Sequence, residues 1–214
     1  MKEVISLGAK FFFIQALYML IISTNEYLIT FSVGTEPVVD YQIYYRFFSL
    51  GSTAFVLALT PIWSVVTKAI SEKDYSWTKK LYKRLLLLSS AAAIGEFCII
   101  ILIQWLINLF YKEDAIKVDY LIAFSFALLG ALIIFNSAFS SVTNGMGKLK
   151  CQAISFVIGA IIKIPTAILL TNLLSSWVGV VFATCISLMV YCVAEPFYIH
   201  RLLFSETETI KQLD

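Results

Sequence analysis

The chain has 214 residues, of which 60% are hydrophobic and 14% charged, with a formal net charge of +2. Soluble domains are about 25% charged, so this composition, with a mean hydropathy of +0.86, excludes an ordinary soluble domain and marks an integral membrane protein. The positive charges gather in short connections rather than on one exposed face, so nucleic acid is not a partner.

The opening MKEVISLGAKFFFIQALYML places positive charge before an apolar run, but that run continues to about Phe31 without a small-residue cleavage site. It reads as a retained span, not a signal peptide. A bilayer core needs about 20 predominantly apolar residues per helix. By that rule the sequence offers six spans, at roughly residues 11–31, 38–66, 85–111, 119–142, 152–174 and 177–199. The fold class is therefore an all-α, six-helix transmembrane bundle, one domain over residues 1–214, with a basic loop at 67–84.

Orientation follows from the positive charges. Lys2, Lys10, Lys148, Lys150, Arg201, Lys211 and the basic stretch Lys68, Lys73, Lys79, Lys80, Lys83 and Arg84 lie on one side, against Lys112 and Lys117 on the other. Both termini and the basic loop are expected in the cytoplasm, with membrane lipids around the spans.

In the first span Gln15 is followed by Thr24, Asn25 and Glu26, the last about four or five residues from the outer end. Gly34, Glu36 and Pro37 then make a tight outer turn. The second span opens with DYQIYYRFF, in which Tyr41 and Tyr45, Asp40 and Tyr44, and Gln42 and Arg46 are i, i+4 pairs, each on one helix face. Arg46 lies about eight residues in, or about 12 Å at 1.5 Å per residue. At that depth it needs a partner, a cavity or snorkelling. Glu26 has a comparable depth on the adjoining helix, so the two either neutralise each other or line a watery cavity, where arginine's fork suits phosphate oxygens.

Pro61 bends the end of the second span, Trp63 sits at headgroup level, and Asp74 can cap a short interfacial helix carrying Trp77, Leu81 and Leu85. That helix either orients the protein or docks on lipid headgroups or a partner. The third span has small residues from Ser89 to Gly95, with Ala91 and Gly95 at the spacing for close helix approach. Glu96 follows near mid-bilayer, either as an ion-coupling carboxylate or as a protonated, hydrogen-bonded one.

The fourth span ends in a polar ridge of Asn136, Ser137, Ser140, Ser141, Thr143 and Asn144, whose groups can bond across helices or to their own backbone. Gly147 and Lys148 lack the spacing of a phosphate loop. The fifth span carries Lys163 beside Pro165, a broken and polar helix centre of the kind at which transporters bind substrate or ions; its alternative is an internal pair with Glu96. The sixth places Trp177 at the outer interface and Glu195, Pro196, His200 and Arg201 at the inner one.

Cys98, Cys185 and Cys192 fall in apolar runs and Cys151 beside a turn, without metal or disulfide spacing. His200 has no ligand set around it. No cofactor and no metal are expected, and the paired carboxylates or His-centred site of a membrane enzyme are missing, so the chain is not read as an enzyme.

The proline at 61 followed by Trp63, Thr67, Ala69, Asp74 and Trp77 resembles the second half of polysaccharide repeat-unit flippases of the multidrug/oligosaccharidyl-lipid/polysaccharide superfamily. Asn144, Gly145, Gly147, Lys148 and Gln152 in NGMGKLKCQ extend the likeness, as do Ile164 and Pro165 in KIPTAI and Gly179, Val180, Ala183 and Thr184 in GVVFAT. The resemblance implies a transporter lobe that moves a lipid-diphosphate-linked oligosaccharide for surface polysaccharide assembly by alternating access. It places the polar residues of STNEYLIT on a central cavity, with Glu26 where the family usually has an aspartate. Arg46, Lys163, Asn25, Gln42 and Tyr45 then become candidates for substrate binding, and Glu26 and Glu96 for ion coupling. The family fold has two six-helix lobes and this chain resembles the C-terminal one, so a second six-helix lobe is an expected partner, from a separate chain or a second copy; the chain is a truncated or split half. A cation-coupled multidrug exporter half and a non-transporting interaction subunit are the alternatives.

Overall fold

The computed structural model describes residues 2–110 and 117–211, and the side chains of residues 7–110 and 117–203. Tyr111 at the expected end of the third span, Lys112, and the side chains of Lys2 and of the tail from 206 lie outside the described residues. The described chain is helical throughout: α1 (Lys2–Ser23), α2 (Asn25–Ser32), α3 (Pro37–Ser71), α4 (Tyr75–Phe110), α5 (Tyr120–Gly145), α6 (Lys150–Leu174) and α7 (Val178–Lys211). Helices satisfy every backbone group within one segment, which a bilayer core demands. Six segments are long and apolar enough to cross a membrane, α1 and α2 counting together as Leu7–Ser32. By length and hydropathy this is a multi-pass membrane protein.

Two helices form the centre. Of the most apolar stretch of α5 and of α7, 61% is buried inside the bundle, against 28% or less for the other four spans. Helix α5 packs on α3, α4 and α7, helix α6 packs on α7, and α1 leans on α6. Outer faces carry Leu57, Leu87, Ile94 and Ile101, each more than half exposed, as a surface bathed in lipid requires.

Close approach is set by glycines, though not where the spacing of Ala91 and Gly95 predicts it. Both of those residues are exposed, and a Cβ on Gly95 would meet nothing within 4 Å. Their face of α4 points outward because Ala93 and Glu96 take the inward positions. The tight contacts lie elsewhere: a Cβ on Gly179 would stand 2.4 Å from the Thr171 amide nitrogen, and one on Gly159 2.7 Å from the Ser187 carbonyl oxygen. These two contacts fix α6 against α7.

Helix α3 runs straight through Pro61 to Ser71, so most of the expected loop at 67–84 is helical and the turn shrinks to residues 72–74. Asp74 does cap a helix, its Oδ1 accepting from the Trp77 amide at 2.8 Å. The capped helix is α4 itself, 36 residues long, rather than a separate interfacial one. Two further expectations fail at the helix ends. Trp177 is buried against Tyr41 and Phe126, with ring centroids 6.2 and 6.3 Å away, instead of joining an interfacial belt. Glu195 is fully buried, because α7 passes through the middle of the bundle where the inner end of a peripheral helix would be open.

Candidate functional site

The first span is interrupted at Thr24, between α1 and α2. Lys163 of α6 reaches this interruption, its Nζ donating to the Ile21 carbonyl and, at 2.7 Å, to the Thr24 hydroxyl. Carbonyls in the last turn of a helix lack intrahelical partners, and the ammonium supplies one. Lys163 is fully buried, and the alternative, an ion pair with Glu96, does not form among the described residues. One residue on, Asn25 is also buried; its Nδ2 donates to the Tyr41 hydroxyl at 3.2 Å and its Oδ1 accepts from Thr184 at 2.7 Å. A polar seam thus ties α2 to α3, α6 and α7 inside an apolar bundle.

The other predicted site residues are dispersed. No ion pair joins Arg46 to Glu26 among the described residues; Glu26 accepts instead from Gln42 Nε2 at 3.4 Å, and both side chains are exposed. Arg46 is exposed beside Phe47, Leu50 and Leu106 in an apolar groove of about 550 Å³ between α3 and α4. Tyr45 stacks on Tyr41 at 5.7 Å. Glu96 is buried in a slot between two helix backbones: a Cβ on Gly51 would stand 2.7 Å from its Oε1, and one on Gly130 2.8 Å from its Oε2. The Ser52 backbone faces its carboxyl, and no side-chain partner reaches either oxygen. Equal depth in the membrane brought Arg46 and Glu26, or Lys163 and Glu96, together on paper; packing turns them to different faces.

An open cleft of about 340 Å³ lies elsewhere, at the end of the bundle that carries the basic stretch. It exists because α1 leans on α6 and meets α3 through side chains, Phe11 on Trp63 with ring centroids 5.1 Å apart, rather than backbone to backbone. The ridge of α5 forms its back wall, with Asn136, Ser137, Ser140, Ser141 and Asn144 all lining it. Gln15 and Tyr18 come from α1, Thr60 and Trp63 from α3, Gln152 and Phe156 from α6, and none of the residues lining it is charged. Gln152 Nε2 donates to Ser140 Oγ at 2.9 Å, and Ser140 shares a 3.0 Å bond with the buried Tyr191 hydroxyl. Three polar atoms in the wall have no partner: Asn136 Nδ2, Asn144 Oδ1 and Gln152 Oε1. The sequence signals this ridge through its helical spacing, but not the loose packing of α1 on α3 that turns a ridge into a cleft wall.

The opposite end is closed. Tyr41, Tyr44 and Trp177 gather around Phe126, with centroids 5.4, 5.8 and 6.3 Å from its ring, and the Tyr44 hydroxyl accepts from the Asp119 amide at 2.8 Å. A scan against models of known protein families and searches of curated proteins and of solved structures find no match to this chain.

Proposed function

We propose that the chain is a lobe of a membrane transporter that moves a lipid-diphosphate-linked oligosaccharide repeat unit by alternating access, together with a second six-helix lobe. The observation that carries this reading is the asymmetry of the bundle: a polar cleft in the half that carries the basic stretch and an aromatic plug with the Asn25 seam in the other. A bundle hollowed in one half and packed shut in the other has the form of one state of a carrier. The interruption of the first span at Thr24 adds a discontinuity of the kind that forms substrate and ion sites in transporters, and the substrate class rests on the resemblance of the motif residues. By the positive-inside rule the cleft faces the cytoplasm.

In this reading Lys163 positions the broken first span, since its ammonium is already bonded to two oxygens. Arg46, exposed in its groove, is the residue left to meet a diphosphate. The buried Glu96 carboxyl, which no side chain pairs, supports a second reading, cation-coupled drug export. In the source cells, Gln152→Ala and Arg46→Ala are each expected to leave insertion normal and to stop delivery of repeat units to the surface, read as lipid-linked glycan accumulating in extracts. Normal surface glycan in both variants refutes repeat-unit transport. Loss of drug export in Glu26→Gln with Arg46→Ala unaffected establishes the second reading.

A further inference from the structure

One side of the bundle does not suit lipid. The exposed faces of α4 from Leu87 to Leu102 and of α6 from Ile154 to Leu169 carry no charge and no amide. The first span and α3 differ. They meet at Glu26 on Gln42 and at Phe11 on Trp63, and both present polar side chains outward: Gln15, Ser23, Glu26 and Thr30 on the first span, Gln42, Arg46, Thr53 and Thr60 on α3. At about 3.6 residues per turn each set falls on one helical face. We infer that this polar face seats a second copy of this chain, related to the first by a two-fold axis along the membrane normal, with Glu26 of each copy paired to Arg46 of its partner. This deepens the transport reading, where it names the second lobe, and rests on that reading only for what the pair does.

Three observations converge. The first is depth. From Gln42 to Thr60 the α3 stripe covers about 27 Å at 1.5 Å per residue, close to the full hydrocarbon core of about 30 Å. It is too long to lie within one headgroup layer, and amides and charges facing acyl chains are costly, so something other than lipid covers it. The second is charge. Among the described residues neither Glu26 nor Arg46 is in an ion pair, and each is exposed. A two-fold interface sets residue i against j and j against i. A face that carries one acid and one base is therefore its own complement, whereas a face of one sign would repel its copy. Gln15 and Gln42 obey the same rule, since a primary amide both donates and accepts and can meet its like.

The third is level. Basic stretches stay on one side of a membrane, so two copies insert in the same orientation, and an axis along the membrane normal keeps every residue at its own depth. Gln42 and Arg46 stand one turn apart on one face of α3, and Gln42 Nε2 donates to Glu26 at 3.4 Å. Glu26 of one copy is thus level with a point on the other's α3 about 6 Å from Arg46, a step that arginine's long stem covers. The guanidinium has five N–H donors, so a carboxylate on one edge leaves the rest for a diphosphate. Gln15 and Thr60 also line the cleft, and a copy seated on this face completes the cleft's outer wall.

The test is energy transfer between separately labelled copies of the full chain, mixed and reconstituted in dilute lipid vesicles. The wild type is expected to pair. Glu26→Arg sets arginine against arginine and Arg46→Glu sets glutamate against glutamate, so each variant alone should self-associate at least about tenfold more weakly. Mixed with one another, the two variants should pair as the wild type does, because each contact is again acid on base. The doubly exchanged chain, Glu26→Arg with Arg46→Glu, should also pair with itself, and it decides the matter where a single variant fails to insert. A wild type that stays single, single variants that pair like it, inserted variants that stay apart when mixed, or a double exchange that stays apart overturns the inference. The failures separate from those of the transport reading: delivery of repeat units lost in Gln152→Ala cells while the purified chain stays single sinks this inference alone, whereas charge-exchange pairing with normal delivery in Gln152→Ala and Arg46→Ala cells sinks the transport reading and leaves the pair.

Discussion

Replacing Gly179 by Ala tests the close packing of α6 on α7. The added Cβ would lie 2.4 Å from the Thr171 amide nitrogen, 2.5 Å from the Leu170 carbonyl carbon and 2.7 Å from the Thr171 Cα. Carbon contacts are comfortable at about 3.5–4.0 Å, so α7 must retreat from α6 by about 1 Å. All three obstructing atoms are backbone, so no side chain can rotate away. Nor can the helices splay freely, because only residues 175–177 join them and Val178 and Val180 on either side are fully buried. Overpacking of this kind costs about 1–3 kcal/mol, and a backbone clash belongs at the upper end.

Gly95→Ala is the matched control. Nothing lies within 4 Å of its Cβ position, and Ala is favoured over Gly inside a helix by about 0.5–1 kcal/mol. Equilibrium unfolding in mixed detergent micelles should therefore show Gly179→Ala unfolding well before the wild type and Gly95→Ala at or beyond it. Equal midpoints for the two variants refute the assignment of close contact to the α6–α7 interface.

Two further substitutions probe the buried polar groups. Gly130→Ala should destabilise by about 1–3 kcal/mol, since its Cβ would meet Glu96 Cδ and Oε2, both at 2.8 Å. Glu96→Ala in the same chain should recover most of that loss, and strictly additive unfolding energies contradict the shared slot. Thr184→Val removes the donor to Asn25 Oδ1 and leaves a buried acceptor unmet, at about 1–3 kcal/mol; unfolding that matches the wild type denies the seam a structural part.

Much of the fold is legible in the residues because lipid imposes a length on each span, and a run of apolar residues records that length directly. The ends are less so. Helices α3 and α4 continue past the apolar core through residues as polar as Lys68 and Lys79, where hydropathy carries no information about backbone conformation. The interruption at Thr24 falls in the polar run Ser23, Thr24, Asn25 and Glu26, which marks polarity but not a change of backbone conformation.

The site was harder to read for a geometric reason. Depth in a membrane is one coordinate, and it groups Glu26 with Arg46 and Glu96 with Lys163; the direction each side chain faces depends on which helices are neighbours. Glu96 turns toward Gly51 and Gly130, and Lys163 toward the end of α1. Glu195 shows the same limit, since its position near a span end suggests exposure while α7's central place buries it. The α5 ridge, by contrast, is visible in spacing alone, because residues 136, 137, 140, 141 and 144 recur on one helical face.

The most direct test of the central claim, that the cleft is a transport path open toward the basic end, is side-resolved labelling of a cysteine at Ser137. The full chain, with its four native cysteines replaced, is placed in sealed vesicles, and Glu72→Cys marks the face of the basic stretch. With no substrate present, an impermeant maleimide should label Ser137→Cys from the side that labels Glu72→Cys and not from the other. Labelling from the opposite side alone, or from neither side, contradicts an open cleft at the basic end and with it the carrier reading.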